Sequence, residues 1–108
     1  MDKNIKFRIG KYLFFPALQT LKLGQKTVKL AKKQNSLLLL LYRKKNRYLS
    51  REEALQEIWE SDSFYTARSM DVYICSLRKI LKEDPEVSLV TKRGVGHMLK
   101  VPSALDDD

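Results

Sequence analysis

Met70, Ile74, Leu77 and Leu81 recur at i, i+4, i+7 and i+11, the period of a helix with one apolar stripe. The spacing predicts a helix over residues 66–82. A strand would scatter the same four residues over both of its faces. At about 100° per residue, Arg68, Val72, Cys75, Ser76 and Lys79 fall on the opposite side. No acid lies among them; Asp71 sits at the edge near the helix start, where a carboxylate suits the dipole. Such a face fits a groove in a polyanion, and its bland counterpart is a solvated face short of acids by chance.

Charge favours the first reading. The 108 residues hold 21 Lys and Arg against 13 acids, a net charge of +8, which draws a domain toward nucleic acid or an acidic membrane. The strongest apolar run, Leu37 to Leu41, is far short of the roughly 20 residues that cross a bilayer. Five successive leucines cover every side of a helix, so a buried helix is expected there rather than a membrane-surface one. Met1, Asp2, Lys3 and Asn4 carry no apolar targeting segment, and the expected compartment is the cytoplasm, with no membrane partner. One cysteine and one histidine exclude a disulfide scaffold and a Cys/His zinc site. No paired carboxylates sit in a cleft-like signature, and a nucleophile elbow, a phosphate-binding loop and a metal cluster are missing from the sequence, so neither an enzyme nor a cofactor is expected.

The rest of the chain brackets that helix. Ile5, Phe7 and Ile9 alternate with Lys6 and Arg8, the period of a half-buried strand. Further strands are expected at residues 12–15, 20–23 and 27–30, the last two joined by a tight turn at Gly24. Residues 32–45 are rich in helix formers and end in Arg43, Lys44 and Lys45, which complement the dipole. Ser50 and Glu53 form a capping box that opens a second helix, with Ala54, Leu55, Ile58 and Trp59 on its buried side. Residues 87–92 and 97–101 read as a closing hairpin turned by Gly94 and Gly96, with Arg93 at its tip. The expected fold is α+β: a four-stranded antiparallel sheet, three helices and a hairpin in one domain over residues 1–108. Residues 1–4 and 103–108 are expected to be flexible ends, Asp106 to Asp108 forming a solvated tail.

Three strings sharpen this. "YLSREEALQEIW" (48–59), "RSMDVYICSLRKIL" (68–81) and "VTKRGVGHML" (90–99) resemble, in order and spacing, the winged-helix effector domain of OmpR/PhoB-type bacterial response regulators. The resemblance covers roughly residues 7–101. It implies a winged helix-turn-helix that binds double-stranded DNA with sequence preference, the third helix in the major groove and the wing on adjacent backbone or minor groove. By position in the strings, it implies phosphate contacts for Arg68, Ser69 and Tyr73, base-edge contacts for Val72 and Ser76 with Lys79 further along, and backbone or minor-groove contacts for Thr91, Arg93 and His97. Glu60, Ser61, Asp62, Ser63, Phe64 and Tyr65 correspond to a loop that can face RNA polymerase. It further implies a receiver domain absent from this chain and head-to-tail dimers on DNA.

Departures from the family pattern carry their own expectations. Cys75 and Ser76 stand where relatives often place a long side chain, so guanine readout by arginine is missing there. Specificity then leans on water, on Val72 against a thymine methyl, or on DNA shape. Ala31 offers no side-chain cap to the first helix. His97 replaces a tyrosine and brings sensitivity to pH near its ordinary pKa of about 6.5. Arg78 is expected to pair with Asp71, and Tyr73 to divide its contacts between core edge and phosphate. A winged helix used for protein or RNA is the alternative. For RNA it would need Tyr12, Phe14 and Phe15 as stacking platforms.

Overall fold

A computed structural model describes residues 5–59 and 64–102; the expected flexible ends at 1–4 and 103–108 lie outside it. Strands β1 (Phe7–Ile9), β2 (Tyr12–Phe15), β3 (Thr20–Leu23) and β4 (Lys26–Lys29) form one antiparallel sheet in that order. Two-residue loops close its outer hairpins, since Ile9 pairs with Tyr12 and Leu23 with Lys26. Gly24 takes φ +60° in the second loop, a value that costs glycine nothing. Alternation puts Ile9, Tyr12, Phe14 and Leu21 inward, each 2% exposed or less.

Helix α1 (Lys32–Arg43) buries Leu37, Leu38 and Leu41 completely and Leu39 and Leu40 by half, as a leucine run on a core helix must. Each fully buried leucine contributes about 1.5–3 kcal/mol. Ala31 indeed caps nothing with its side chain, yet the Gln34 side-chain oxygen accepts from the Ala31 amide at 2.9 Å and supplies the reciprocal half of a capping box. Helix α2 (Arg51–Ala54) begins where Ser50 Oγ accepts from the Glu53 amide at 3.0 Å. The Glu53 carboxylate does not reach back to Ser50; it pairs with Lys44 Nζ at 2.8 Å. After one α turn the chain widens into a π-helical turn (Leu55–Trp59), leaving Trp59 half-buried rather than in the core.

Helix α3 (Phe64–Leu81) opens two residues before the predicted start, and Met70, Ile74, Leu77 and Leu81 are all buried, 3% exposed or less. Its exit is held by Asp84, 1% exposed, whose carboxylate accepts from the Lys11 amide at 2.8 Å and the Glu86 amide at 3.0 Å. Strands β5 (Ser88–Lys92) and β6 (Gly96–Lys100) complete the hairpin, with residues 93–95 as its loop. A third piece of chain joins it: the Leu49 amide donates to the His97 carbonyl at 2.7 Å and the His97 amide to the Leu49 carbonyl at 3.0 Å. Gly96 permits that approach, because a Cβ there would stand 2.2 Å from the Leu49 oxygen.

Candidate nucleic-acid interface

The outer face of α3 is a row of Arg68, Val72, Cys75 and Lys79, all exposed, with Val72 at 63%. Their spacing of four, three and four residues keeps them on one side. The row is cationic at both ends and apolar or small between. Asp71 flanks it, and its carboxylate takes Arg51 Nη2 of α2 at 2.9 Å to each oxygen. That pairing corrects the expected Arg78–Asp71 bridge.

Ser76 departs from the predicted face. It is half-buried, its Oγ accepts from Gln34 Nε2 at 2.8 Å and donates to the Tyr73 carbonyl at 3.0 Å. The hydroxyl therefore ties α3 to α1. At 100° per residue, position 76 lies about 40° beyond Val72, enough to turn a short side chain toward the neighbouring helix. Ser69 and Tyr73 are also half-buried. The Tyr73 ring leans on Trp59 with centroids 6.1 Å apart, and Lys33 Nζ lies 5.6 Å from the Trp59 ring on the far element α1.

The wing is built from α3 outward. Arg78 Nε donates to the Leu89 carbonyl at 3.0 Å and Arg78 Nη2 to Thr91 Oγ1 at 2.8 Å. Thr91 Oγ1 also lies 2.8 Å from His97 Nδ1. While it accepts from the guanidinium, the hydroxyl keeps its own proton to donate to a bare Nδ1 and a second lone pair to accept from a protonated one. His97 is 4% exposed, so its ring sits inside the wing base, whereas the family resemblance implies an open phosphate donor. Burial, and then the Arg51 charge, hold its pKa below the ordinary 6.5; Asp71 opposes them and Arg78 adds to them. Arg93, Lys92 and Thr91 remain exposed at the loop and strand end. An open groove of about 390 Å³ separates the wing loop from Arg51 and Glu52 at the start of α2.

Arg51 and Lys92 line that groove and are absent from the sequence-based set. The sequence does carry a signal for both: Arg51 stands at the first helical position after the Ser50 cap, and Lys92 adjoins the turn. Glu60 to Ser63 of the predicted polymerase-facing loop lie outside the described residues. Phe64 and Tyr65 form the first turn of α3 rather than loop. The three residues expected as an RNA stacking platform do not form one: Tyr12 and Phe14 are core residues and Phe15 is half-buried. Among the described residues no cluster of metal-ligating side chains occurs, and no helix is long and apolar enough to cross a membrane.

A four-stranded sheet, three helices and a hairpin clipped to the third of them define a winged helix-turn-helix of the OmpR/PhoB type, a class of DNA-binding domain. The chain belongs to the family described as "Transcriptional regulatory protein, C terminal", which matches residues 24–99. It is 43% identical over 101 residues to the transcriptional regulatory protein RprY of Bacteroides fragilis, covering 94% of this chain and 42% of that protein. The chain thus spans less than half the length of this curated relative. Among solved structures it is similar to the DNA-binding domain of Escherichia coli CadC, with a TM-score of 0.78 and 25% identity over 94% of this chain and 96% of that one. It is likewise similar to the C-terminal domain of the nisin resistance regulator NsrR, a lantibiotic response regulator, with a TM-score of 0.73 and 28% identity over 90% and 99% of the two chains.

Proposed function

We propose that this domain binds double-stranded DNA with sequence preference as the output module of a two-component transcriptional regulator in the cytoplasm. Helix α3 lies in the major groove and the hairpin rests on the adjacent backbone or minor groove. One observation carries this reading: the acid-free outer row Arg68, Val72, Cys75 and Lys79 belongs to the same helix that Arg78 clips to the basic-tipped wing. Arg68, Lys79, Lys92 and Arg93 supply phosphate contacts that release counterions and fix register. Val72 supplies an apolar contact suited to a thymine methyl. Ser69 and Tyr73 reach phosphate from the half-buried flank, Ser76 meets base edges only if its bond to Gln34 opens, and Thr91 and His97 act chiefly by holding the wing.

RprY exceeds this chain by more than half of its own length, which supports a receiver domain in the intact regulator. Head-to-tail pairing on direct repeats and an RNA polymerase contact through residues 60–65 complete the proposal. With about six to eight phosphate contacts, log affinity falls against log salt with a slope of about −5 to −7. A fluorescence-anisotropy titration of a labelled duplex over a range of salt concentrations measures that slope. A flat line would reject DNA as the ligand.

A further inference from the structure

The four-stranded sheet has two edges, β1 and β4, and they are unlike. At β4, Lys26 pairs with Glu83, and Lys29 Nζ donates to the Leu18 carbonyl. At β1, Lys6, Arg8 and Lys11 form no ion pair among the described residues. A groove of about 500 Å³ runs beside β1, and Glu86 is the one acid among its described lining residues.

The backbone of that edge is open. Only Gly10 and Lys11 separate Ile9 from its partner Tyr12, so Ile9 and Tyr12 exchange both hydrogen bonds, as do Phe7 and Phe14. Arg8, between them, faces Leu13 without such bonds, and its N–H and C=O point away from β2. Neither group finds another partner among the described residues. Side chains alternate about this line. Phe7 faces α1, stacked on Tyr42 with centroids 4.8 Å apart, and both line the groove with Val101. Ile5, of the same parity, is 39% exposed. Lys6 and Arg8 take the outer face, where both are exposed.

An unpaired edge bordered by open space suits an extended peptide that adds a strand: main-chain bonds supply affinity and alternate side chains supply choice. Here both faces state a preference. The α1 side offers apolar contact; the outer side offers unpaired cations. We infer that β1 is a docking edge for an extended, antiparallel segment of a partner protein in which acidic residues alternate with apolar ones. The apolar residues pack against Phe7, Tyr42 and Val101, while the acidic ones stand beside Lys6 and Arg8 and share hydrogen bonds with the Arg8 backbone. The same cations disfavour pairing with a second copy of this edge, since like charges directly opposite destabilise a strand pair. A free phosphate satisfies the charge but not the alternation. The inference is independent of the DNA reading, because no residue of α3 or of the wing loop is among those lining the groove.

Nuclear magnetic resonance titration of the labelled chain with a blocked peptide of alternating glutamate and valine tests it. Amide shifts are expected at residues 6–9, Tyr42 and Val101, and solvent exchange of the Arg8 amide should slow about tenfold or more at saturation. In an antiparallel pairing the glutamate amides face β1 and the valine amides face away. N-methylation of the glutamates should therefore weaken binding by about tenfold or more, and N-methylation of the valines by much less. The double variant Lys6→Glu, Arg8→Glu, altered only at exposed side chains, should exchange the glutamate–valine peptide for a lysine–valine one while its α3 resonances stay in place. Absence of shifts at β1 would overturn the proposal, as would equal effects of the two methylations. So would pyrophosphate reproducing the Arg8 protection, which would mark an anion site, or concentration-dependent broadening of β1 without peptide, which would make the occupant a second copy.

Discussion

Arg78 and Thr91 are joined by a 2.8 Å hydrogen bond from Nη2 to Oγ1, and the same guanidinium holds the Leu89 carbonyl at 3.0 Å through Nε. Helix and hairpin, separated by eleven to thirteen residues of sequence, therefore move together. Arg78→Ala is expected to lower stability by about 1–2 kcal/mol in urea unfolding, at the low end of charge-assisted bonds because the site is open to water. Arg78→Lys keeps the charge but cannot span both acceptors, so it should recover less than half of that loss. Full recovery by lysine would show that charge, and not the fork, secures the wing.

His97 makes the domain sensitive to acid. Burial and the Arg51 charge keep its pKa below 6.5 in the folded chain, while the unfolded chain titrates near the ordinary value. Above 6.5 neither state holds the proton and no stability is at stake. As pH falls through 6.5 the unfolded state takes up the proton first, so stability declines until the folded pKa is reached and then levels off. Ring-proton resonances of this single histidine should titrate with a midpoint under 6.5. Urea midpoints of wild type and His97→Gln should converge as pH is lowered; parallel curves would contradict the account.

Gly94 and Gly96 look alike in sequence and should respond differently to alanine. Gly94 has φ +79° and open space where a methyl group would stand, so Gly94→Ala costs only backbone strain of about 1 kcal/mol. Gly96 has φ +147°, and its Cβ would lie 2.2 Å from the Leu49 carbonyl oxygen. Gly96→Ala must break the Leu49–His97 pairing or distort it, at about 3 kcal/mol or more. Thermal unfolding of the two variants side by side separates the cases.

Val72 and Arg93 divide the proposed work of recognition. Arg93→Ala should weaken binding to every duplex alike and reduce the magnitude of the salt slope by about 1. Val72→Ala removes apolar surface that is 63% exposed in the free domain, and should change the ranking among duplexes with little effect on the slope. Affinities over a panel of sites differing in single T·A pairs provide the comparison. Equal losses on all duplexes from Val72→Ala would remove it from base readout.

What the sequence discloses is local. The period-2 strands, the Leu37–Leu41 run, the Ser50 cap and the Met70–Leu81 stripe each declare themselves within a dozen or so residues. The pairings that shape the interface join residues much farther apart: Gln34 with Ser76, Arg51 with Asp71, Leu49 with His97. No periodicity encodes those distances. Helical position puts Ser76, and the family pattern puts His97, on the open face, and tertiary hydrogen bonds draw both inward. Regular helical spacing puts Trp59 in the core. The π-helical turn at Leu55–Trp59 changes that spacing, and the ring comes to rest half outside, against Tyr73.

The strand-like contact at Leu49 fixes where this hairpin can vary in length. Residues anchored at Gly96 and His97 are knitted to the approach to α2, so an insertion or deletion there would unseat that helix as well. Residues 93–95 lie past the last knot. Extra residues spliced between Lys92 and Gly96 would extend the finger toward whatever it touches and leave the palm unchanged. Reach, in this architecture, is free to be tuned apart from foldedness.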